Sequence, residues 1–107
     1  MTNIAQMMQK AQEMKMKMAE MQQKVMSMDI PGEAGAGMVN VVMNGKGELR
    51  SLKIEPGIVN ADEVELLEDL VMAAVNDGRK KAETIVAEET ARIMQEMGLP
   101  ADLDLPF

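Results

Sequence analysis

The chain has no cysteine, histidine, tryptophan or tyrosine, and its single aromatic residue is Phe107. Without cysteine there are no disulfides and no thiol nucleophile. Without histidine the commonest metal ligand is missing, as is the one side chain that titrates near neutral pH unperturbed. A core built without aromatic rings needs other filling, and 14 methionines supply it with flexible, adaptable thioethers. Long hydrophobic runs are absent as well. No stretch approaches the roughly 18 apolar residues of a membrane span, and the first residues lack the basic start and continuous apolar run of a signal peptide. These absences lead us to expect a cytoplasmic protein with no metal, cofactor, small-molecule substrate, membrane partner or catalytic turnover.

What is present begins with size and charge. A chain of 107 residues suits one domain with a modest core, and two such copies sharing a core gain noticeably, so a homodimer is expected. The net charge of -7 is unevenly spread. Residues 1–28 carry Lys10, Lys15, Lys17 and Lys24 against Glu13 and Glu20, whereas residues 62–107 carry four basic groups against twelve acidic ones. Such a chain repels nucleic acid at long range, so any DNA contact needs a localised basic face and depends on salt.

Ile4, Met7, Ala11, Met14, Met18, Met21, Val25 and Met28 recur at strict three-four spacing. That pattern is a narrow seam made to meet another helix. Lys10, Lys17 and Lys24 repeat every seven residues on one flank of it, with Lys15 on the other. A flank of one sign calls for an acidic partner, which could be the chain's own acidic helix, a second subunit or phosphate. Apolar stripes at helical spacing usually serve the core, and Met14, Met18 and Met21 are accordingly core or dimer candidates.

The first helix is expected over about residues 3–25, capped by Thr2 or Asn3. Between Met28 and Glu55 the period changes to two, which predicts three antiparallel strands within residues 27–55. Met28 and Ile30 alternate with Ser27 and Asp29, the Gly32–Gly37 stretch makes a turn, and Asn44-Gly45-Lys46-Gly47 is a hairpin signal. In the middle strand Val39, Val41 and Met43 face one side and Met38 and Val42 the other. Val39, Val41 and Val42 are therefore core or dimer candidates, with one sheet face for helices and the second for a partner subunit. Asp62 with Glu65 resembles a capping box opening a long helix over about 62–97. Roughly 36 residues of helix span about 54 Å, more than a small sheet is wide, so both helices should project as an arm. Gly98 and Pro100 stop the second helix, and a short acidic tail, 99–107, is expected to be mobile. The fold class is thus α+β, in the order α-β-β-β-α, as a single domain over 1–107.

Gly32-Glu33-Ala34-Gly35-Ala36-Gly37 lacks the spacing of a dinucleotide loop and the Lys-Ser/Thr ending of a P-loop. Glu63, Glu65, Glu68 and Asp69 answer the dipole of a helix start and have no nucleophile or histidine beside them. Arg79-Lys80-Lys81 is a basic island within the acidic helix, and Gly78 beside it is a flexible point.

The ordered set of features resembles a known family. It comprises Met7-Met8-Gln9-Lys10-Ala11-Gln12-Glu13-Met14, Gly32 to Val39, Asn44 to Gly47, Leu67 to Val71 with Ala73 to Asp77, and Leu105-Pro106-Phe107. In order and spacing these are similar to the bacterial YbaB/EbfC family of nucleoid-associated proteins. The resemblance implies a homodimer whose helices protrude like tweezers, and it implies non-enzymatic binding of double-stranded DNA in the nucleoid, with effects on gene expression. It carries Lys10, Lys17, Lys80 and Lys81 over as DNA contacts. Lys15, Lys24 and Arg79 join them from the charge pattern, as groups reading phosphate and shape. A second class stays open at this level. A Met-rich seam could act as a helix-binding adaptor or chaperone-like surface without DNA, as methionine-rich binders do.

Overall fold

The computed structural model describes residues 3–99. Helix α1 (Ile4–Met26) is followed by strands β1 (Ile30–Ala34), β2 (Val39–Met43) and β3 (Leu49–Ile54), and by helix α2 (Val64–Glu96). The strands form one antiparallel sheet in the order β1-β2-β3. This is the α-β-β-β-α architecture expected from the period changes. The tail from residue 100 onward lies outside the described residues.

Asn3 starts α1, its side-chain oxygen accepting the Ala5 N–H at 3.0 Å. At the other end the N–H groups of Ser27 and Met28 donate to the Lys24 and Val25 carbonyls at 3.2 and 3.3 Å, which closes the last turn. Pairing in the sheet begins only with Ile30 opposite Met43, so Ser27, Met28 and Asp29 connect helix to strand and do not extend β1. The Gly45 N–H donates to the Val25 carbonyl at 2.6 Å and anchors the end of α1 to the β2–β3 turn. Asn44 organises that turn. It is buried, its side-chain oxygen accepts from the Lys46 and Glu48 N–H groups at 3.0 Å each, and its amide donates to Glu48 Oε1 at 2.9 Å.

One sheet face carries Ile30, Gly32 and Ala34 from β1, Val39, Val41 and Met43 from β2, and Leu52 and Ile54 from β3, as the pairing register requires. Helix α2 lies across the β1 and β2 part of it. Val39, Val41 and Met43 are fully enclosed there with Ala74, each burial worth about 1.5–3 kcal/mol. The opposite face presents Pro31, Glu33, Asn40, Ser51 and Lys53 to solvent, with Val42 half-buried among them. That face is mainly polar, and so differs from the apolar docking face expected for a second subunit. Large apolar groups are left exposed at Leu49 and Leu52 on β3, at Val59 in the connection to α2, at Val64, Leu66 and Met72 in the first turns of α2, and at Ile4, Met7, Met8, Met16 and Met26 along α1.

Helix and sheet meet through glycines. A Cβ on Gly32 would stand 2.6 Å from the Gly78 nitrogen and 2.7 Å from the Ala74 carbonyl oxygen, so β1 touches the backbone of α2 directly. A Cβ on Gly78 would lie 2.7 Å from Met43 Sδ. Gly78 is therefore buried contact surface within an unbroken helix, and the flexible point expected from its sequence position is absent. The start of α2 also differs from the capping-box expectation. Asn60 takes the capping role, accepting the Asp62 N–H at 3.0 Å, and a short 3-10 turn at Ala61–Glu63 precedes the α-helix at Val64.

Beyond the sheet, the second half of α2 runs antiparallel to α1 and completes a rod-shaped molecule of 71 × 22 × 18 Å. Met14, Met18, Met21 and Val25 pack there against Ile93, Met94 and Met97. Arm and sheet thus have separate cores, the first mostly methionine and the second mostly valine.

Candidate nucleic-acid interface

The seam that buries Met14, Met18 and Met21 fixes where the flanking lysines point. Lys17 and Lys24, one heptad apart, meet acidic residues one heptad apart on α2: Lys17 Nζ lies 3.4 Å from Glu96 Oε2 and Lys24 Nζ 3.1 Å from Glu89 Oε1. Arg92 links the two carboxylates, donating to Glu89 at 2.6 Å and to Glu96 at 2.9 Å. The result is an alternating chain, Lys17-Glu96-Arg92-Glu89-Lys24, along one side of the arm. The Arg92 hydrogen bond, then that of Lys24, holds the Glu89 carboxyl below its ordinary pKa, and Glu89 in turn raises that of Arg92. Of the three acidic partners open to this flank, the chain's own helix is the one engaged by Lys17 and Lys24.

Lys10 and Lys15 are different. Both are exposed on α1, and neither forms an ion pair among the described residues. Lys10 stands on the part of α1 that overhangs the end of α2, with Met7, Ala11, Met97 and Leu99 beside it.

The island on α2 is a second group, placed beside the edge of the sheet. Lys80 and Lys81 line a shallow groove with Ile30, Pro31, Thr84 and Glu88. Lys81 Nζ is held by Asp77 Oδ2 at 2.9 Å, and the same carboxylate oxygen accepts the Glu33 N–H of β1 at 3.0 Å. These bonds, the backbone one first, hold the Asp77 pKa below its ordinary value. Asp77 therefore fastens α2 to β1 and restrains Lys81, while Arg79 and Lys80 are exposed and make no ion pair among the described residues. The structure brings Lys17 and Lys24 together around Arg92. No described groove or ion pair joins Arg79, Lys80 or Lys81 to the α1 lysines.

Arg92 was not among the residues singled out from the sequence. Its signal was available in Glu89 three residues before it and Glu96 four after, the spacings at which helical side chains meet. Arg50 was also missed. It is the extra residue of a bulge opposite Val42 and Met43, and its guanidinium lies 3.4 Å from Asp29.

Cations thus stand on the two-helix arm and beside the sheet, some paired internally and some without an ion pair among the described residues. The comparisons with known proteins give the family. Residues 1–97 match the YbaB/EbfC DNA-binding family. The chain is 49% identical over 107 residues to a nucleoid-associated protein of Granulibacter bethesdensis and 45% identical to one of Agrobacterium fabrum, covering the whole of each. Its fold matches the crystal structure of an uncharacterized Helicobacter pylori protein with a TM-score of 0.70 and 27% identity, over 91% of this chain and 98% of that one. The chain belongs to the YbaB/EbfC family of nucleoid-associated DNA-binding proteins.

Proposed function

We propose that the protein binds double-stranded DNA in the nucleoid as a homodimer, without enzymatic activity, by contacting phosphates along its arm. The observation that carries this reading is the division of the arm's lysines into two sets. Lys10 and Lys15 offer cationic groups with no carboxylate partner among the described residues, as do Arg79 and Lys80 beside the sheet, whereas Lys17, Lys24 and Lys81 must first leave Glu96, Glu89 and Asp77. Long flexible cations of this kind suit contact with the DNA backbone, and phosphate contacts position a protein without reading sequence. The helix-capture alternative loses its main support, because Met14, Met18 and Met21 are already filled by α2. Dimerisation is supported by the exposed apolar side chains on and near β3, Leu49 and Leu52 foremost, since one subunit leaves them in water.

Titrating duplex DNA by fluorescence anisotropy at several salt concentrations tests the reading. Every phosphate that a variant no longer neutralises should lower the log-log salt slope by about 0.9. Lys10→Ala with Lys15→Ala should therefore flatten the slope by about 2 to 4 in a dimer, and Lys17→Ala with Lys24→Ala by less. A folded variant lacking Lys10, Lys15, Arg79 and Lys80 that binds with unchanged affinity and slope would sink the mechanism. Sedimentation equilibrium tests the dimer: Leu52→Glu should shift the protein toward monomer, and a wild-type monomer at micromolar concentration refutes the assembly.

A further inference from the structure

Sulfur is distributed unevenly between the two cores. Of the seven buried residues of the arm, five are methionines, Met14, Met18, Met21, Met94 and Met97, whereas the sheet core has Met43 alone beside Val39, Val41 and Ala74. The chain has no cysteine, so thioethers are the whole of its sulfur chemistry with oxidants. Beyond the anchor at Val25, α1 is held to the second half of α2 by this cluster and by two solvent-accessible ion pairs, Lys17–Glu96 and Lys24–Glu89. Pairs open to water contribute little, so closure of the arm rests chiefly on the thioethers.

Two of these methionines border a groove at the tip of the arm. Its volume is about 290 Å³, and Met7, Lys10, Ala11 and Met14 of α1 line it opposite Met97 and Leu99. Ala11 is the small residue between Met7 and Met14 on one helical stripe, so the hollow opens between thioethers. Met14 and Met97 are 9% and 6% exposed, against 1% for Met43 in the sheet. The surroundings do not suit a sulfoxide, whose polar oxygen needs a donor once buried. The other side chains packed here, Val25, Ile93 and Leu99, are apolar. The N–H groups of Met97, Gly98 and Leu99 already donate to the Ile93, Gln95 and Met94 carbonyls. Lys10 is the one polar side chain lining the groove among the described residues, and it reaches inward only by taking its ammonium out of water.

We propose that Met14 and Met97 are a modification site for oxidants of the peroxide class, and that their conversion to sulfoxides opens the arm from its tip while the sheet stays folded. The sulfur lone pair attacks one oxygen of hydrogen peroxide, the O–O bond breaks as the S–O bond forms, and the second oxygen leaves as water with both protons. The thioether is oxidised by two electrons and the peroxide is reduced by two. Opening at the tip uncovers Met18, Met21 and Met94, so each oxidation prepares the next. It also parts Lys17 from Glu96. The consequence for DNA rests on the DNA-binding reading above: an arm whose cations no longer stand in fixed positions has to be ordered on binding, which weakens it.

Treating the full-length protein with dilute hydrogen peroxide tests the site. Peptide mass spectrometry follows each methionine, with exposed Met8 and Met16 as fast references and buried Met43 as the slow one. Met14 and Met97 should convert at least about fivefold faster than Met43, since susceptibility follows access. Amide hydrogen exchange of the oxidised protein should then accelerate at least about tenfold over residues 14–25 and 86–97, the effect of leaving a buried polar atom without a partner, and less than about twofold in β2. Met14→Leu with Met97→Leu, a swap that keeps volume, should abolish the acceleration at the same dose, and Met8→Leu with Met16→Leu should not. Met14 and Met97 reacting as slowly as Met43, or sulfoxides formed there with exchange unchanged, overturn the site. Equal acceleration in β2 overturns the separate opening of the arm.

In the anisotropy titration, the oxidised wild type should bind duplex DNA at least about threefold more weakly than the untreated protein, and the oxidised Met14→Leu, Met97→Leu protein should stay within about twofold of it. Unchanged affinity with an opened arm overturns the consequence for DNA. If the untreated protein fails to bind DNA, the functional reading above is what fails, and the oxidation and exchange measurements still decide the modification site.

Discussion

Gly32→Ala tests the joint that holds the sheet to the long helix. In most strands this change is favourable by about 0.4–1 kcal/mol, because alanine restricts the unfolded chain and adds a packing group. Here the new Cβ would meet the Gly78 nitrogen at 2.6 Å, the Ala74 carbonyl oxygen at 2.7 Å and the Gly78 Cα at 2.7 Å. All three are main-chain atoms of a helix, so no rotamer change relieves the overlap. The whole of α2 has to lift off β1, loosening its hold on Val39, Val41 and Met43. Overpacking a close-packed site costs about 1–3 kcal/mol, and the rigid neighbour places this one toward the upper end. Net of the unfolded-state gain, we expect a loss of about 2 kcal/mol, which lowers Tm by about 8–16 °C for a domain of this size. Urea unfolding followed by circular dichroism at one protein concentration measures it, with concentration fixed because association shifts the midpoint. Gly57→Ala is the control, since a Cβ there meets nothing within 4 Å, and it should fall within about 0.5 kcal/mol of the wild type or gain slightly. A Gly32→Ala protein as stable as the Gly57→Ala one would refute the direct contact between β1 and α2.

Asn44→Ala should destabilise by about 1–3 kcal/mol in the same urea assay, because the Lys46 and Glu48 N–H groups lose their acceptor in a partly buried turn; Asn44→Asp, which keeps that acceptor, should lose less. The Asp77 and Glu89 carboxyls have pKa values lowered by their native partners, so they add stability that is present above the unfolded carboxylate range and disappears as pH falls through their folded values. The gap in urea midpoint between wild type and an Asp77→Asn, Glu89→Gln variant should therefore be widest near pH 6 and close below about pH 4; a gap that widens on acidification contradicts the assigned partners.

The sequence by itself determined which segments become helix, strand and turn in this protein, because those choices follow from local patterns that need no knowledge of the partner. The three-four spacing from Ile4 to Val25 specified α1 and its apolar stripe, of which Met14, Met18, Met21 and Val25 are buried. The alternation through Val39, Val41 and Met43 set the inward side of β2, and Asn44 to Gly47 located the hairpin. What the tertiary structure decided depended on groups brought together from distant positions. Lys17 and Glu96 are 79 residues apart, and only the antiparallel packing of α1 on α2 makes them a pair and leaves Lys10 without one among the described residues. Gly78 reads locally as a weak point in a helix, yet it is buried contact surface because Met43 and Gly32 press on it from the sheet. The same holds for the exposed apolar surface of the sheet: the alternation of β2 divides the sheet into two faces, but α2 covers only β1 and β2, so Leu49 and Leu52 of β3 stay exposed while the opposite face is polar. Helical periodicity records which side of an element is apolar; how far its neighbour reaches along that side is set by lengths and crossing geometry, and these exist only in the folded molecule.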